Sequence, residues 1–246
     1  MHKIIYIDVG THFCQEYQSI FGSHRYFFYK ILRRFVGYHI LRKGEKLKIK
    51  TFLNIFRLRS QLRSMRDNFE FYFVEANPKI ISHCDVYKQA HAVFNVALTN
   101  EKKIDIVKLY VANNNYLGQG NSILKEKYNV SINEYIPTIG VPSLIFFENL
   151  SEYLKNLHTN YKVILRLNCE GVEDDIIYAA HKVFGSNLSI IMGSLKDVKE
   201  TKGHQAYQNL KNFLNKNNLP FAHFKSSVTT WIESFKSILM LFKTKQ

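Results

Sequence analysis

The sequence predicts an α/β fold with a doubly wound, mostly parallel sheet. Two observations predict it: short apolar runs alternate with amphipathic stretches along the chain, and several of the runs end in polar residues or glycine. Strands that alternate with helices are typical of a parallel sheet covered by helices on both faces. An apolar fraction of 46% is enough for a packed core in 246 residues. We expect one domain, residues 1–246.

The strands are expected where apolar runs meet turn-forming residues. The first spans residues 3–9, contains Asp8 near its end and is followed by Gly10. The second lies in residues 69–78, which contain Glu75 before a proline. Later segments are expected as a strand at 91–100, a strand or hairpin arm at 103–112, a loop at 113–122, a strand, turn and helix at 161–185, a strand at 187–195, a helix at 204–218 and a last strand at 221–227.

A basic, aromatic-rich insertion is expected after the first strand, at residues 24–67. Its core, residues 25–66, contains thirteen Lys or Arg and one acid, so it carries +12 of the net charge of +14. Apolar residues at helical spacing predict two amphipathic helices here. In the first of them the apolar positions are Phe28, Ile31, Leu32 and Phe35.

The cysteines favour a cytoplasmic location. Cys14, Cys84 and Cys169 are widely spaced without a CxxC pair, which indicates reduced thiols rather than a disulfide framework or a zinc site. No apolar run is long enough for a membrane span, and the N-terminus lacks a secretory signal pattern. His83, next to Cys84, has no partner pair at ligand spacing, so no metal site is expected.

A ligand site is expected at the carboxyl ends of the strands, where ligands bind in open parallel sheets. Three strands end there in polar residues or glycine, at residues 8–10, 75–77 and 168–171. Gly10 allows close approach of backbone, and Glu75 can accept both hydrogen bonds of a ribose diol. Because GxGxxG and GxxxxGK[ST] motifs are absent after the first strand, we expect a nucleoside-type ligand without a pyrophosphate.

Four segments of the chain resemble, in their order and spacing, the FkbM-type family of S-adenosylmethionine-dependent methyltransferases. They are YIDVG, FVEANP, NVALTNEKK and LRLNCEGVEDDII. Members of that family carry D-V-G-A-N-x-G, an E-P-N-P-like stretch, an A-L-S/T strand end and K-I-D-V-E-G-x-E. The resemblance covers residues 3–23 and 68–195. It implies a seven-stranded, Rossmann-like class I methyltransferase fold and O-methylation in glycan or natural-product biosynthesis.

The resemblance also implies a cofactor site for S-adenosylmethionine. Seven residues at three strand ends would form it: Asp8, Gly10 and Thr11 on the methionine side, Glu75 and Asn77 at the ribose, and Ala97 and Leu98 beside the adenine. The chain departs from the family pattern at three places, with Thr11 and His12 for Ala-Asn, Cys14 for the second glycine and Asn168 for an aspartate.

Catalytic candidates follow from the chemistry, because methyl transfer to a hydroxyl needs alignment of the acceptor and removal of its proton. They are His12, Asn168 and Glu170. His12 could act as a base, or could simply hydrogen-bond a loop carbonyl. Glu170 could orient the acceptor, help to bind a magnesium ion or stabilise the N-terminus of the following helix. The acids that follow it, Glu173, Asp174 and Asp175, are weaker candidates, because acids are expected in the first turn of a helix in any case.

The basic segment, residues 25–66, allows three interpretations: solvated helices, contact with an anionic membrane, and contact with an acidic substrate or nucleic acid. Eight of its thirteen cations are arginine, which favours phosphate-like partners.

The leading hypothesis is a cytoplasmic methyltransferase that methylates a sugar hydroxyl, with peripheral contact to the inner face of the membrane. The alternative is a non-catalytic protein of this fold that binds an anionic partner. Nucleic-acid binding rests on charge alone, without a recognisable module.

Overall fold

The computed structural model describes residues 2–34, 36, 49–113, 120–223 and 228–242. The strands in these residues are β1 (Lys3–Val9), β2 (Phe69–Val74), β3 (Ala92–Phe94), β4 (Ala97–Thr99), β5 (Asp105–Ala112), β6 (Val130–Pro142), β7 (Tyr161–Leu167), β8 (Leu188–Gly193) and β9 (Phe221–His223). The α-helices are α1 (Gln15–Phe21), α2 (His24–Arg34), α3 (Ile49–Ser64), α4 (Pro78–His83), α5 (Ser143–Leu157), α6 (Glu173–Phe184), α7 (Lys196–Lys216) and α8 (Val228–Met240).

Six strands form the central sheet in the order β3-β2-β1-β7-β8-β9, and every neighbouring pair is parallel. The predicted α/β fold with a mostly parallel sheet is confirmed. The chain moves outward from β1 to β3 on one side and from β7 to β9 on the other, so the strand order reverses between β1 and β7. Seven strands were expected from the resemblance, and the described residues place six in this sheet.

The central strands are apolar on both faces because helices cover both. In β1 the side chains of Ile4 and Tyr6 face one hydrophobic core, and those of Ile5 and Ile7 face the other. All four are almost completely buried. Continuous apolar runs of this kind are typical of parallel strands. The helices α1, α2, α3 and α8 pack on the first face, and α5, α6 and α7 pack on the second, which makes the sheet doubly wound.

The two helices expected in the basic segment are present as α2 and α3. Phe27 and Ile31 form the buried side of α2, whereas Phe28 and Leu32, which were predicted to belong to the apolar face, are exposed. The predicted stripe was therefore partly wrong, because α3 and α8 cover α2 on one side only. Position 35, also in that stripe, lies outside the described residues.

A second, three-stranded sheet lies over one end of the first, in the order β4-β6-β5. β4 pairs with β6 in parallel, and β5 pairs with β6 in the antiparallel sense. The single strand predicted at residues 91–100 is divided between β3 and β4, which belong to different sheets. The predicted strand at 103–112 is β5, whereas β6 and α5 were not predicted.

The remaining predictions near the C-terminus are largely confirmed. The strand, turn and helix expected at 161–185 are β7 and α6, and the strand expected at 187–195 is β8. The helix predicted at 204–218 is α7, which begins eight residues earlier and has a kink at Gly203, where φ is 89°. Residues 114–119 of the predicted loop and 224–227 of the last predicted strand lie outside the described residues.

Within the described parts of the chain, no helix combines the length and apolar character needed to cross a bilayer. In the same residues no group of three or more His, Cys, Asp or Glu side chains is arranged to hold a metal ion. The three cysteines are free thiols, and Cys14 is buried.

Candidate functional site

A cavity of about 280 Å³ lies at the carboxyl ends of β1 and β7, where the strand order reverses. This volume is close to the lower end of the roughly 300–1,000 Å³ that small-molecule sites occupy. Eight of the predicted site residues line the cavity: Gly10, Thr11, His12, Glu75, Ala97, Leu98, Asn168 and Glu170. The structure thus brings together residues from four separate parts of the sequence.

Two predicted cofactor residues do not line the cavity. The Asn77 side chain caps the N-terminus of α4 by accepting a hydrogen bond from the backbone N–H of Lys79 at 3.1 Å. Asp8 is completely buried beneath the turn that follows β1. Both residues therefore stabilise the backbone around the cavity, and neither side chain forms part of its wall.

Gly10 is required by the close approach of two strand ends. Its φ is +69°, and a Cβ built on it would lie 2.1 Å from the backbone oxygen of Asn168 at the end of β7. No other residue type fits this space without moving β1 away from β7. The N–H of Gly10 donates to Val74 O at 2.9 Å, so the turn is also fixed to the end of β2.

Non-glycine residues in the left-handed region cluster at this cavity. The described residues contain four of them, and three are His12 at φ 48°, Cys14 at φ 50° and Glu170 at φ 62°. Such a conformation costs roughly 1–2 kcal/mol for a residue with a Cβ. Strain of this kind persists where surrounding contacts enforce it and is often found at functional sites.

Glu75 joins the turn after β1 to the end of β2. One carboxylate oxygen accepts the backbone N–H of His12 at 2.7 Å, and the other accepts the N–H of Asn77 at 2.9 Å. Each oxygen retains a second lone pair that can accept a further hydrogen bond. Burial raises the pKa of the Glu75 carboxyl, and the hydrogen bonds from the two N–H groups act in the opposite direction.

A buried ion-pair network supports the turn from below. Arg166, on β7, donates to Asp8 at 2.9 Å, to Glu16 at 2.6 Å and to the backbone oxygen of Gly10 at 2.8 Å. Burial raises the pKa of Asp8, while the guanidinium of Arg166 acts against that rise. Burial also works to lower the pKa of Arg166, but the fields of Asp8 and Glu16 outweigh it and raise the pKa. The network keeps Arg166 charged and directs it at the cavity floor.

Glu170 is held by a lysine from the loop between β5 and β6. The Nζ atom of Lys127 donates to Glu170 Oε2 and, at 3.1 Å, to the backbone oxygen of Gly120. The side chain of Lys127 is almost completely buried. Burial raises the pKa of Glu170 and the charge of Lys127 opposes it.

The three acids that follow Glu170 are structural. Glu173 accepts the backbone N–H groups of Cys169 at 2.8 Å and Gly171 at 2.9 Å, so it closes the turn between β7 and α6. Asp174 and Asp175 both pair with Lys202 of α7 at 2.6 Å. All three lie in the first turn of α6, where acids were expected from the sequence.

The cavity is lined by both apolar and polar side chains. The apolar ones include Val74, Ala97, Leu98 and Leu109, and the polar ones include His12, Glu75 and Glu170. The side-chain nitrogen of Asn121, which also lines the cavity, is buried and has no hydrogen-bond partner within the described residues. A flat heterocycle and a polar group could therefore bind together at this site.

Sequence reasoning missed three charged residues of the site: Glu16 and Arg166, which line the cavity, and Lys127, which pairs with Glu170. Arg166 had a visible signal, because a charge in the middle of the apolar run VILRL must find a buried partner. Lys127 had none, since it is one of two lysines in the polar stretch LKEKYN. Only the fold places it under Glu170.

Comparison of the sequence with protein-family models and with curated protein sequences gives no match.

Proposed function

We propose that this chain is an S-adenosylmethionine-dependent methyltransferase. The observation that carries the proposal is that the Gly10 turn and the Glu75 carboxylate share one cavity at the reversal of strand order. In doubly wound sheets this is the place where nucleoside ligands bind, with an acidic residue at the end of the second strand on the ribose.

The residues present fit this cofactor. Glu75 has a lone pair on each oxygen for the two ribose hydroxyls, and Ala97 and Leu98 offer an apolar surface to the adenine ring. The unpaired amide nitrogen of Asn121 is a donor for a ring nitrogen or a carboxylate. S-Adenosylmethionine, when bound, supplies an electrophilic methyl group.

The backbone of the first turn supports the resemblance to the FkbM-type family. Where that family carries asparagine and its second glycine, this chain carries His12 and Cys14, at φ 48° and 50°. Asparagine and glycine are the residues that adopt this region most readily. The turn thus retains a conformation that suits the family's residues, although the side chains differ. We extend the proposal to the class I methyltransferase fold and to residues 24–67 as an insertion in it.

His12 and Glu170 are the proposed proton acceptors. Both line the cavity, and the imidazole of His12 packs edge-on against Phe13 with the ring centres 4.2 Å apart. A hydroxyl held against either group would lose its proton as the new bond to carbon forms. Asn168 would orient the acceptor, and the pair with Lys127 would keep Glu170 in position. A sugar hydroxyl as the acceptor follows from the resemblance.

Calorimetric titration with S-adenosylmethionine and with S-adenosylhomocysteine tests the proposal. We expect both compounds to bind in one-to-one stoichiometry. If neither binds to the folded chain, the proposal is wrong, and the non-catalytic alternative remains.

Glu75→Ala tests the site within that experiment. Loss of two hydrogen bonds to a charged acceptor, at about 1.5–3 kcal/mol each, should weaken binding of both compounds at least tenfold. Glu70→Ala is the matched control, since Glu70 is a buried glutamate of β2 that does not line the cavity. Equal loss in both variants would mean that destabilisation, and not ribose contact, explains the effect.

A further inference from the structure

The exposed side of α2 is an apolar stripe. Phe28, Tyr29 and Leu32 are 52%, 56% and 49% exposed. Their spacing of one and four residues places them together on one side of the helix. Single exposed apolar residues are ordinary, but three large neighbours on one helix indicate a surface that binds something.

The opposite side of α2 is fixed to the core, so the stripe cannot turn inward. The ring centre of Phe27 lies 5.1 Å from that of Phe56 on α3 and 6.0 Å from that of Trp231 on α8. Ile31, one turn later, is completely buried. The helix thus has two apolar sides, and only one of them packs against the core.

The stripe is bordered by cations. Arg25 lies one turn before Tyr29, and Arg33 lies one turn after it; both are exposed. Neither has an acidic partner within ion-pair distance among the described residues, and α2 contains no acidic residue. The positive charge beside the stripe is therefore not neutralised by an acid in the part of the chain that the structure describes.

Other arginines of the basic segment are used inside the fold. Arg59 and Arg63 donate to backbone oxygens at the end of α1, and Arg66 donates to the hydroxyl of Tyr17 at 3.0 Å. Among the described residues, these three arginines therefore serve the fold, whereas Arg25 and Arg33 of α2 are exposed and available to a partner.

We propose that the outward side of α2 docks on the surface of an anionic lipid bilayer. Phe28, Tyr29 and Leu32 enter the interface, and Arg25 and Arg33 contact lipid phosphates. Helices with aromatic and aliphatic residues on one face and uncompensated cations beside them bind membranes in this way. A nucleic acid would match the charge but would leave Leu32 without an apolar environment. The docking does not depend on methyl transfer.

Vesicle co-sedimentation of the full chain tests this docking. We expect binding to phosphatidylcholine vesicles that contain phosphatidylglycerol, weaker binding at high salt, and little binding to phosphatidylcholine alone. Phe28→Ser with Leu32→Ser should lower the affinity at least about tenfold. Arg25→Glu with Arg33→Glu should lower it by a similar factor.

Two control pairs lie elsewhere on the surface. Ile106 and Ile139 are 66% and 47% exposed and face each other across β5 and β6, so their double replacement by serine controls for loss of apolar surface. Lys102→Glu with Lys199→Glu, at two exposed positions, controls for net charge. We expect both controls to bind as the parent chain does.

Three outcomes would overturn the docking: no binding to anionic vesicles at low salt, equal loss in the control pairs, or binding unaffected by either change on α2. Tighter binding to a single-stranded oligonucleotide than to the vesicles would also overturn it. Urea unfolding of the same variants shows whether they remain folded. Calorimetric titration with S-adenosylmethionine bears on the methyltransferase proposal alone.

Discussion

At the scale of single residues, Asp8 lies beneath the turn after β1 and contributes to the site without lining the cavity. The resemblance assigns it to the cofactor, but its carboxylate pairs with Arg166 and does not line the cavity. Arg166 in turn holds the carbonyl of Gly10. The acid therefore shapes the turn through a buried cation, and its loss would leave Glu16 as the remaining acidic partner of that cation among the described residues.

The contact between Gly10 and β7 leads to a prediction about stability. Gly10→Ala should destabilise the fold by about 3 kcal/mol or more, because the new Cβ would combine left-handed strain with a clash against Asn168 O. Gly185→Ala is the control, since Gly185 has φ +51° with nothing within 4 Å, and we expect about 1 kcal/mol there. Urea unfolding measures both. Equal costs would mean that the clash is relieved by small movements.

The site could be predicted from sequence where a residue type marks a strand end. Gly10, Glu75 and Asn168 follow apolar runs, and parallel strands bring their carboxyl ends to one edge. Lys127 could not be predicted, because it reaches Glu170 from a loop between two strands of another sheet. Contacts of that kind depend on tertiary structure and leave no periodic signal.

At the scale of elements, α2 shows the limit of periodicity. Apolar residues at helical spacing predict a helix correctly, but they do not say which side faces the core when two adjacent stripes are apolar. Phe27 and Ile31 were buried because α3 and α8 lie on that side. β6 was missed for another reason: its two prolines and one glycine in VSINEYIPTIGVP are typical of loops.

The packing of α3 on α1 leads to a second prediction. Arg59 is 2% exposed and donates to the backbone oxygens of Ser19 at 2.8 Å and Gly22 at 2.6 Å. Burial, together with the charge of Arg63, lowers its pKa to about 10. Arg59→Met should cost roughly 2–4 kcal/mol, because the buried carbonyl of Ser19 loses its guanidinium donor and that of Gly22 keeps only Arg63.

Arg57→Met is the matched control for this change. Arg57 lies two residues earlier on α3, is exposed and contacts Asn54 at 3.1 Å. We expect an effect within about 0.5 kcal/mol, as for most surface substitutions. Thermal and urea unfolding of both variants provide the comparison, and a small cost for Arg59→Met would show that water can replace the guanidinium.

At the scale of the whole molecule, Glu70 couples stability to pH. Its Oε2 accepts the Tyr72 hydroxyl at 3.0 Å and lies 3.0 Å from Nε2 of His158, at the end of α5. Burial acts to raise the pKa of Glu70, but these contacts outweigh it and lower the pKa below the ordinary value of 4.5. The folded chain then binds fewer protons than the unfolded chain, so the stabilisation is present above pH 4.5 and is lost as the pH falls through the lowered pKa.

Glu70→Gln should therefore reduce the loss of stability on acidification. We expect the urea midpoints of the parent chain and the variant to differ more at about pH 6 than at about pH 3. These two pH values lie on either side of the titration of Glu70. Glu126→Gln, at an exposed position, controls for removal of one carboxylate. A constant difference across the pH range would contradict the role of Glu70.

The global architecture was the most predictable level, because alternating strands and helices leave few topologies for a parallel sheet. The number of strands and their division between two sheets were less predictable. β3 and β4 are separated by two residues, Asn95 and Val96, and no local signal distinguishes a sharp change of sheet from a continuous strand.

The short helix α1 has a consequence for distances in the molecule. It contains seven residues, so it is about 10 Å long, and its first two residues, Gln15 and Glu16, line the cavity. Its other end meets Gly22, which α3 clamps through Arg59, just before α2 begins. Because α1 is so short, it is a rigid spacer of fixed length. For a chain resting on α2, it would set the height of the cavity above the lipid, and with it the length of acceptor that can reach inside.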